Sequence, residues 1–400
     1  MINRIHAAEF VFPGHPDKLA DAIADALVQE ASRRERRALV GVEVAVHRNR
    51  VFITGRIACE GAKNIDIAGL VREVYRTAGY GGGWYPAPDE IEIDTDLCLG
   101  PLEDGEAEYR AQSDDQSICT GFAINLPETN YLPVESWLAN RLGSHLSGLR
   151  DENPDLQLGP DGKVAVLVSE HEDSWRLEGF TCSLQQKEGA DDLALHRAVR
   201  VSLEEKVASL AGDFPGLAQD VPEIIFVNGA GNFDVGGPEG DNGLSGKKLV
   251  VDAYGTRVPI GGGALSGKDF YKVDRAGALH ARRVAKAAVL TGTARQALVK
   301  LIWYPGDSRA RLFSIENENG ELIDVGPWKE LFDLSLESSG DAWTGCSDLI
   351  HVARYGHFTN AEIAWENLRI APVKDRNNPY QNRRQQKIEK MKSGESKVSL

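Results

Sequence analysis

Four hundred residues, 42% of them hydrophobic and 26% charged, suffice for two or three domains with real cores and are too apolar for a disordered chain. A formal net charge of -15 argues against a general nucleic-acid or anionic-membrane surface, so a polyanionic ligand would need basic residues gathered locally. The five scattered cysteines, Cys59, Cys98, Cys119, Cys182 and Cys346, lack zinc-site or redox spacing, and no stretch approaches ~20 apolar residues, so the expectation is a cytoplasmic protein with reduced thiols.

In chain order, a helix is predicted from Pro16 to about Ser32, with Leu19, Ala22, Ile23, Ala26 and Leu27 on one stripe and Pro16 suited to a first helical position. Val40, Val42, Val44 and Val46 then alternate with Gly41, Glu43 and Ala45. Val51, Ile53 and Gly55 alternate with Phe52, Thr54 and Arg56. These read as two half-buried strands turning at Arg48 and Asn49. A second amphipathic helix carries Ile67, Leu70, Val71, Val74 and Tyr75 and stops at Gly79; Gly81 to Pro88 reads as loop and Glu103 to Asp115 as a polar boundary. From 117 to 228 there are short apolar runs such as Val164 to Val168 and one helical stretch near Leu193 to Leu210.

Twelve of the 41 glycines fall between Gly229 and Gly267, interleaved with lysines, which points to ordered ligand loops rather than a linker. A strand is expected from Lys248 to Tyr254 and a long helix from Lys272 to Val289. The last thirty residues, with Arg383, Arg384, Lys387, Lys390 and Lys392, read as a basic tail or frayed helix. Irregular alternation of strands and helices predicts an α+β class with antiparallel or mixed sheets.

Three runs carry chemistry. Gly14-His15-Pro16-Asp17-Lys18 opens a helix, whose free N–H groups and positive dipole end suit a phosphate. There His15 is suited to an anionic leaving oxygen and Asp17 to Mg²⁺, although an exposed turn with a capping acid needs the same residues. Gly236 to Lys248 lets backbone approach a ligand and sets Lys247 beside Lys248, two charges that repel unless an anion is near. It is not a nucleotide-binding G-x-x-x-x-G-K-[ST] loop, because Leu249 follows the lysines. Gly261 to Asp269, followed by Lys272, Asp274 and Arg275, repeats the pattern of glycines, lysines and an interspersed carboxylate that a Mg²⁺–polyphosphate requires.

Together these runs resemble the signature segments of methionine adenosyltransferases (S-adenosylmethionine synthetases): G-H-P-D-K, G-G-P-x-G-D-x-G-L-T-G-[RK]-K and G-G-G-A-[FL]-S-G-K-D-x-x-K-V-D-R. Asp115-Gln116, Asp161-Gly162-Lys163, Phe233, Tyr355-Gly356-His357-Phe358 and Trp365-Glu366 follow in family order, so the resemblance spans about residues 9 to 368. It implies three structurally similar α+β domains, placed at 1–103, 112–229 and 230–370 ahead of the tail at 371–400. It also implies a homodimer, or a dimer of dimers, with sites at the subunit interface. The implied reaction is attack of the methionine sulfur on C5′ of ATP, with Mg²⁺, releasing tripolyphosphate that is then cleaved to pyrophosphate and phosphate. Carried over by residue, His15 and Lys163 lie beside the breaking bond, Lys268 serves catalysis by gripping the tripolyphosphate, and Asp17 and Asp274 hold Mg²⁺. Lys247, Lys248 and Lys272 grip the phosphates, Phe233 meets adenine, Asp241 lies near the ribose or amino acid, and Glu43 is the site for K⁺.

Departures gather at the amino-acid end. Where the family has G-G-E-I, with a glutamate for the methionine ammonium, this chain has Thr54-Gly55-Arg56-Ile57. The family's K-Q-S-P-D-I loop corresponds to about Leu99 to Asp104, its G-A-G-D-Q-G gate to Gln112 to Ser117, and its Y-A-I-G segment to about Trp303 to Gly306. A substrate ammonium about 4 Å from a carboxylate gains roughly 4 kcal/mol at an effective dielectric of 20, and a guanidinium reverses that sign. Arg56 therefore either meets a different nucleophile or pairs with Glu43 across the hairpin, leaving methionine to Asp115. Three functions follow: a true methionine adenosyltransferase, the same ATP chemistry on another small nucleophile, or a silent partner subunit. Retention of the lysines beside both acidic metal positions speaks against the last.

Overall fold

The computed structural model describes residues 4–368. In chain order it contains β1 (Arg4–Val11), α1 (Pro16–Arg34), β2 (Leu39–His47), β3 (Arg50–Ala58), α2 (Ile67–Ala78), β4 (Glu92–Gly100) and α3 (Glu106–Tyr109). Next come β5 (Ser117–Ile124), α4 (Val134–Glu152), β6 (Leu158–His171), β7 (Ser174–Gln186), α5 (Asp192–Asp213) and β8 (Phe226–Val227). The last part holds β9 (Gly243–Leu244), α6 (Leu249–Asp252), α7 (Val273–Leu290), β10 (Gln296–Trp303), β11 (Arg311–Glu316), α8 (Gly326–Leu331), α9 (Leu336–Trp343) and α10 (Leu349–Tyr355). The class is α+β, as the alternation predicts.

Three sheets, ordered β1-β6-β7-β8, β11-β10-β5 and β4-β3-β2-β9, do not follow chain order. The N-terminal strand β1 pairs antiparallel with β6, β5 pairs with β10 of the last third, and β9 returns to the edge of β2. Both remaining β-neighbour pairs formed at long range, β3 with β4 and β7 with β8, are parallel, so two of the sheets are mixed. The β2–β3 hairpin has the register that the alternation implies: Glu43 faces Thr54, Gly41 faces Arg56, and Val40, Val42, Val44 and Val46 are buried.

Helix α1 is buried on every side from Pro16 to Val28, between β2, α2 and α10. A helix with no solvent face is expected to be apolar all round, yet α1 carries Asp17, Lys18, Asp21 and Asp25 inside the protein. Each therefore requires a partner, and the site is built on those partners.

Three sequence expectations are corrected. Two long helices, α4 and α5, lie between 117 and 228, not one. The apolar run Leu249, Val250, Val251 forms one helical turn rather than a strand, which aims Asp252 at Lys18. Trp303, placed near the thioether end, is fully buried in the core between β10 and α7. The basic tail lies outside the described residues. Among the described residues no helix is long and apolar enough to cross a membrane, and all five cysteines are free.

Candidate active site

The β1–β6 register places Val11 opposite Lys163, and the Phe12 amide donates to the Gly162 carbonyl at 2.8 Å. The chain then turns tightly, the His15 amide bonding back to the Phe12 carbonyl at 2.9 Å, so His15 caps α1 directly beside Lys163. Gly14 is required at this turn, because a Cβ there would sit 2.3 Å from the Pro160 carbonyl oxygen. His15 Nδ1 accepts from the Asp17 amide at 3.2 Å, which leaves the proton of a neutral ring on Nε2.

Burial, and then Lys248, Lys163, Lys18 and Lys247, push the His15 imidazolium down to about pKa 3. The ring is therefore a neutral hydrogen-bond donor inside a ring of ammonium groups. Lys163 is paired with Glu9 at 2.5 Å, and Lys248 lies 3.8 Å from both Glu9 and Asp17. Lys247 lies 3.6 Å from Asp17. The sequence reading missed Glu9; its place in a strand register opposite the Lys163 region gives no local signal.

Behind His15 opens a cleft of about 370 Å³, lined by Lys163, Phe233, Asp241, the glycines of 231–240 and Asp161. Asp161 is buried and accepts from the Gly237 amide at 2.7 Å. Burial raises its carboxyl to about 6. The structure thus brings together His15, Asp17, Lys163, Phe233, Asp241, Lys247 and Lys248 in one place.

Lys268, Lys272, Asp274 and Asp115 lie in a second place. Lys268 pairs with Asp274 at 2.6 Å, Ser117 donates to Asp274 at 2.5 Å, and Lys272 pairs with Asp114. Asp115, expected beside the amino acid, is exposed and caps its own neighbour, accepting from the Gln116 amide; the carboxylate that reaches Lys272 is Asp114. No hydrogen bond or ion pair joins the two sets among the described residues. Both glycine loops are stitched to the same edge of β2, Leu244 opposite Ala45 and Lys268 opposite Gly41. Four residues of strand separate them, about 13 Å.

Asp17 has one oxygen on the Leu244 amide at 3.1 Å, while its lysine neighbours at 3.6 and 3.8 Å are beyond hydrogen-bond reach. A buried carboxylate with spare lone pairs among cations fits Mg²⁺, which takes one or two carboxylates along with phosphate oxygens and water. Asp274 differs: it is half-buried, with one oxygen on Lys268 at 2.6 Å and the other on the Ser117 hydroxyl at 2.5 Å, so a metal there would replace or share those partners. Among the described residues no three His, Cys, Asp or Glu side chains gather as an all-protein metal cage. Glu43 lies on the exposed face of β2 and accepts from the Ser245 hydroxyl at 2.6 Å.

Arg56 does not pair with Glu43. Its guanidinium reaches the other way, to Glu106 at 2.7 Å and Glu103 at 3.5 Å, because the 101–113 segment folds over the outer end of β3. That segment is held elsewhere by Arg110, which pairs with Asp269, donates to the Ala38 carbonyl and lies 5.0 Å over the Tyr271 ring.

Profiles of the S-adenosylmethionine synthetase N-terminal, central and C-terminal domains match residues 3–94, 110–233 and 235–367. The chain is similar to the S-adenosylmethionine synthase of Corynebacterium kroppenstedtii, 31% identical over 402 residues that cover 92% of this chain and 97% of the relative. It is similarly related to that of Deinococcus radiodurans, at 30% identity with 91% and 95% covered. The synthase of Mycobacterium marinum is 33% identical, with 91% and 96% covered. The chain belongs to the S-adenosylmethionine synthetase family. Each of the three sheets draws strands from two of these matched stretches, and both lysine sets fall within the C-terminal match apart from Lys163.

Proposed function

We propose that the protein is an ATP-dependent adenosyltransferase of the S-adenosylmethionine synthetase type, using methionine or a close relative as nucleophile. The observation that carries this is the neutral His15 among Lys163, Lys247 and Lys248 at the mouth of the Phe233–Asp241 cleft. Adenine enters against Phe233, which sets C5′ at His15. The nucleophile's sulfur gives its lone pair to C5′ as the C5′–O5′ bond breaks, and the electron pair leaves on O5′ with the whole tripolyphosphate. His15 donates its Nε2 proton as a hydrogen bond to that oxygen, and Lys163 balances its charge. These cations are fixed before the charge develops, so they stabilise the transition state more than the ground state. Water then divides the tripolyphosphate into pyrophosphate and phosphate. Asp17 and Asp274 would hold Mg²⁺, which when bound would neutralise phosphate charge, and Glu43 would hold K⁺.

One chain supplies two half-sets about a β2 edge apart, which supports a homodimer in which Lys268, Lys272 and Asp274 of a second copy complete each site. The reading is of a cytoplasmic enzyme. A second reading, the same ATP chemistry on a different small nucleophile, is favoured by the Arg56–Glu106–Glu103 cluster where a lone carboxylate would meet an amino acid's ammonium.

Incubation with ATP, Mg²⁺ and methionine tests the reaction: pyrophosphate and phosphate should appear together with an adenosylated product. ADP or AMP as the product would overturn it. Light scattering should give a dimer, and an active monomer would contradict the shared site.

A further inference from the structure

The buried carboxylates of α1 lie at positions 17, 21 and 25, one helical turn apart, and each accepts from a backbone amide of a glycine loop. Asp17 takes Leu244 at 3.1 Å, Asp21 takes Gly246 at 2.8 Å and Asp25 takes Gly267 at 3.0 Å. Four residues of helix advance about 6 Å, so a single rigid rod sets the spacing of the two loops. Neither Asp21 nor Asp25 has any exposure. Burying a carboxylate is costly unless it is paired and hydrogen-bonded, and well-packed apolar residues often serve the fold as well or better.

The arrangement at Asp25 is the more complete. Arg275, also buried, reaches both Asp25 oxygens at 2.7 and 2.6 Å and gives its other arm to the Lys268 carbonyl at 2.9 Å. The peptide from Gly267 to Lys268 is thereby held at its amide by Asp25 and at its carbonyl by Arg275. On the opposite side the Gly267 carbonyl accepts from Val42 at 3.0 Å and the Asp269 amide donates to Val40 at 3.2 Å. Gly267 has φ +83°, and a Cβ there would stand 2.3 Å from the Val42 carbonyl oxygen. With its backbone clamped from both sides, Lys268 starts its side chain from a fixed point and places its ammonium on Asp274 at 2.6 Å. Arg275 follows Asp274 on α7, so the same ion pair fixes both members of that contact.

We propose that Asp25 and Arg275, which face no cleft, are positioning residues that aim Lys268 at the polyphosphate, with α1 as the gauge between the two loops. This rests on the reading that Lys268 holds phosphate.

The test is a double-mutant cycle between Asp25→Asn and Lys268→Ala, read by kcat for ATP cleavage and by calorimetric binding of Mg²⁺–tripolyphosphate. Asp25→Asn should lower kcat about 10- to 100-fold, in the range of lost outer-sphere support, with the KM for ATP changed less than about 3-fold. In the Lys268→Ala background the same change should cost less than about 3-fold more, because its route is already removed. Losses that multiply, or a folded Asp25→Asn protein with full kcat, would overturn the proposal and leave the pair a purely structural role. If Asp25→Asn does not fold, Arg275→Lys serves in the same cycle, since lysine keeps the charge on Asp25 but cannot also hold the Lys268 carbonyl. If the wild type binds tripolyphosphate without cleaving ATP, the functional reading fails, and the affinities alone run the cycle. A wild type that does neither overturns both.

Discussion

The proposed phosphate end and the proposed amino-acid end of the site are built in different ways. At the phosphate end every candidate residue is set by buried backbone: His15 by a turn on β6, Lys247 and Lys248 by β9 on the β2 edge, Lys268 by Asp25 and Arg275. At the amino-acid end Arg56 and its partner Glu103 reach the surface. Arg56 is about a third exposed and Glu103 about four-fifths exposed, and they are joined by ion pairs. Exposed pairs of this kind contribute about 0–1 kcal/mol each and rearrange readily. On the proposed reading, the difference separates the apparatus that breaks the bond from the part that decides where the adenosyl group is delivered.

The sharpest way to break this comparison is at Asp17. Asp17→Asn should lower ATP turnover about 10³-fold by removing the spare carboxylate for Mg²⁺, with circular dichroism unchanged. Full turnover would remove the phosphate end from the account. His15→Ala comes next, with kcat down about 10²-fold and KM for ATP little altered. The pH dependence of stability checks the same residue. The folded state refuses a proton until about pH 3, whereas the unfolded ring accepts one near 6.5, so acidification through that window should destabilise the wild type and spare His15→Ala. Tripolyphosphate should raise the His15 pKa by offsetting the lysines, measurable from its imidazole resonances.

Asp161 provides a third, smaller test. Its carboxyl is raised from 3.8 to about 6, so its cost is absent below the unfolded value and fully present above the folded one. Asp161→Asn keeps an acceptor for the Gly237 amide and should stabilise at pH 7.5 by roughly 2–3 kcal/mol, with the gain vanishing near pH 4. Urea denaturation at the two pH values measures it, and an equal effect at both would refute the burial argument. The smallest effect is expected at Arg56. Arg56→Glu should shift the KM of the nucleophile about 10-fold and leave the KM of ATP alone, because it frees the 101–113 segment by setting like charges against Glu103 and Glu106. A change in ATP affinity instead would mean the two ends are not independent.

Much of this is legible in the sequence itself. Alternation of Val40, Val42, Val44 and Val46 gave the faces of β2 and the register that sets Glu43 opposite Thr54, since a strand has only two phases. The glycine–lysine runs marked the loops. What escaped was what depends on distant chain. Helix α4 was missed because Gly143 and Gly148 interrupt it, yet Gly143 is a contact: a Cβ there would lie 2.2 Å from the Phe10 ring. The Leu249–Asp252 turn looked like a strand because apolar β-branched residues suit both settings when the run is short. Arg56 was expected to meet substrate or Glu43; its acidic partners come from a polar segment without periodicity. Asp21 and Asp25 did leave a signal, an acid every fourth residue on the face of α1 opposite its apolar stripe, which only burial on all sides turns into a requirement for partners.

The central claim is that an intact phosphate end cleaves ATP at C5′ while the altered end decides the acceptor. One measurement meets it directly: mass spectrometry of products from ATP, Mg²⁺ and a panel of amino acids and thioethers. The account predicts adenosylated products with pyrophosphate and phosphate, and an acceptor preference that Arg56→Glu changes. Nucleotide left intact by every acceptor, or cleaved only within its phosphate chain, would contradict it.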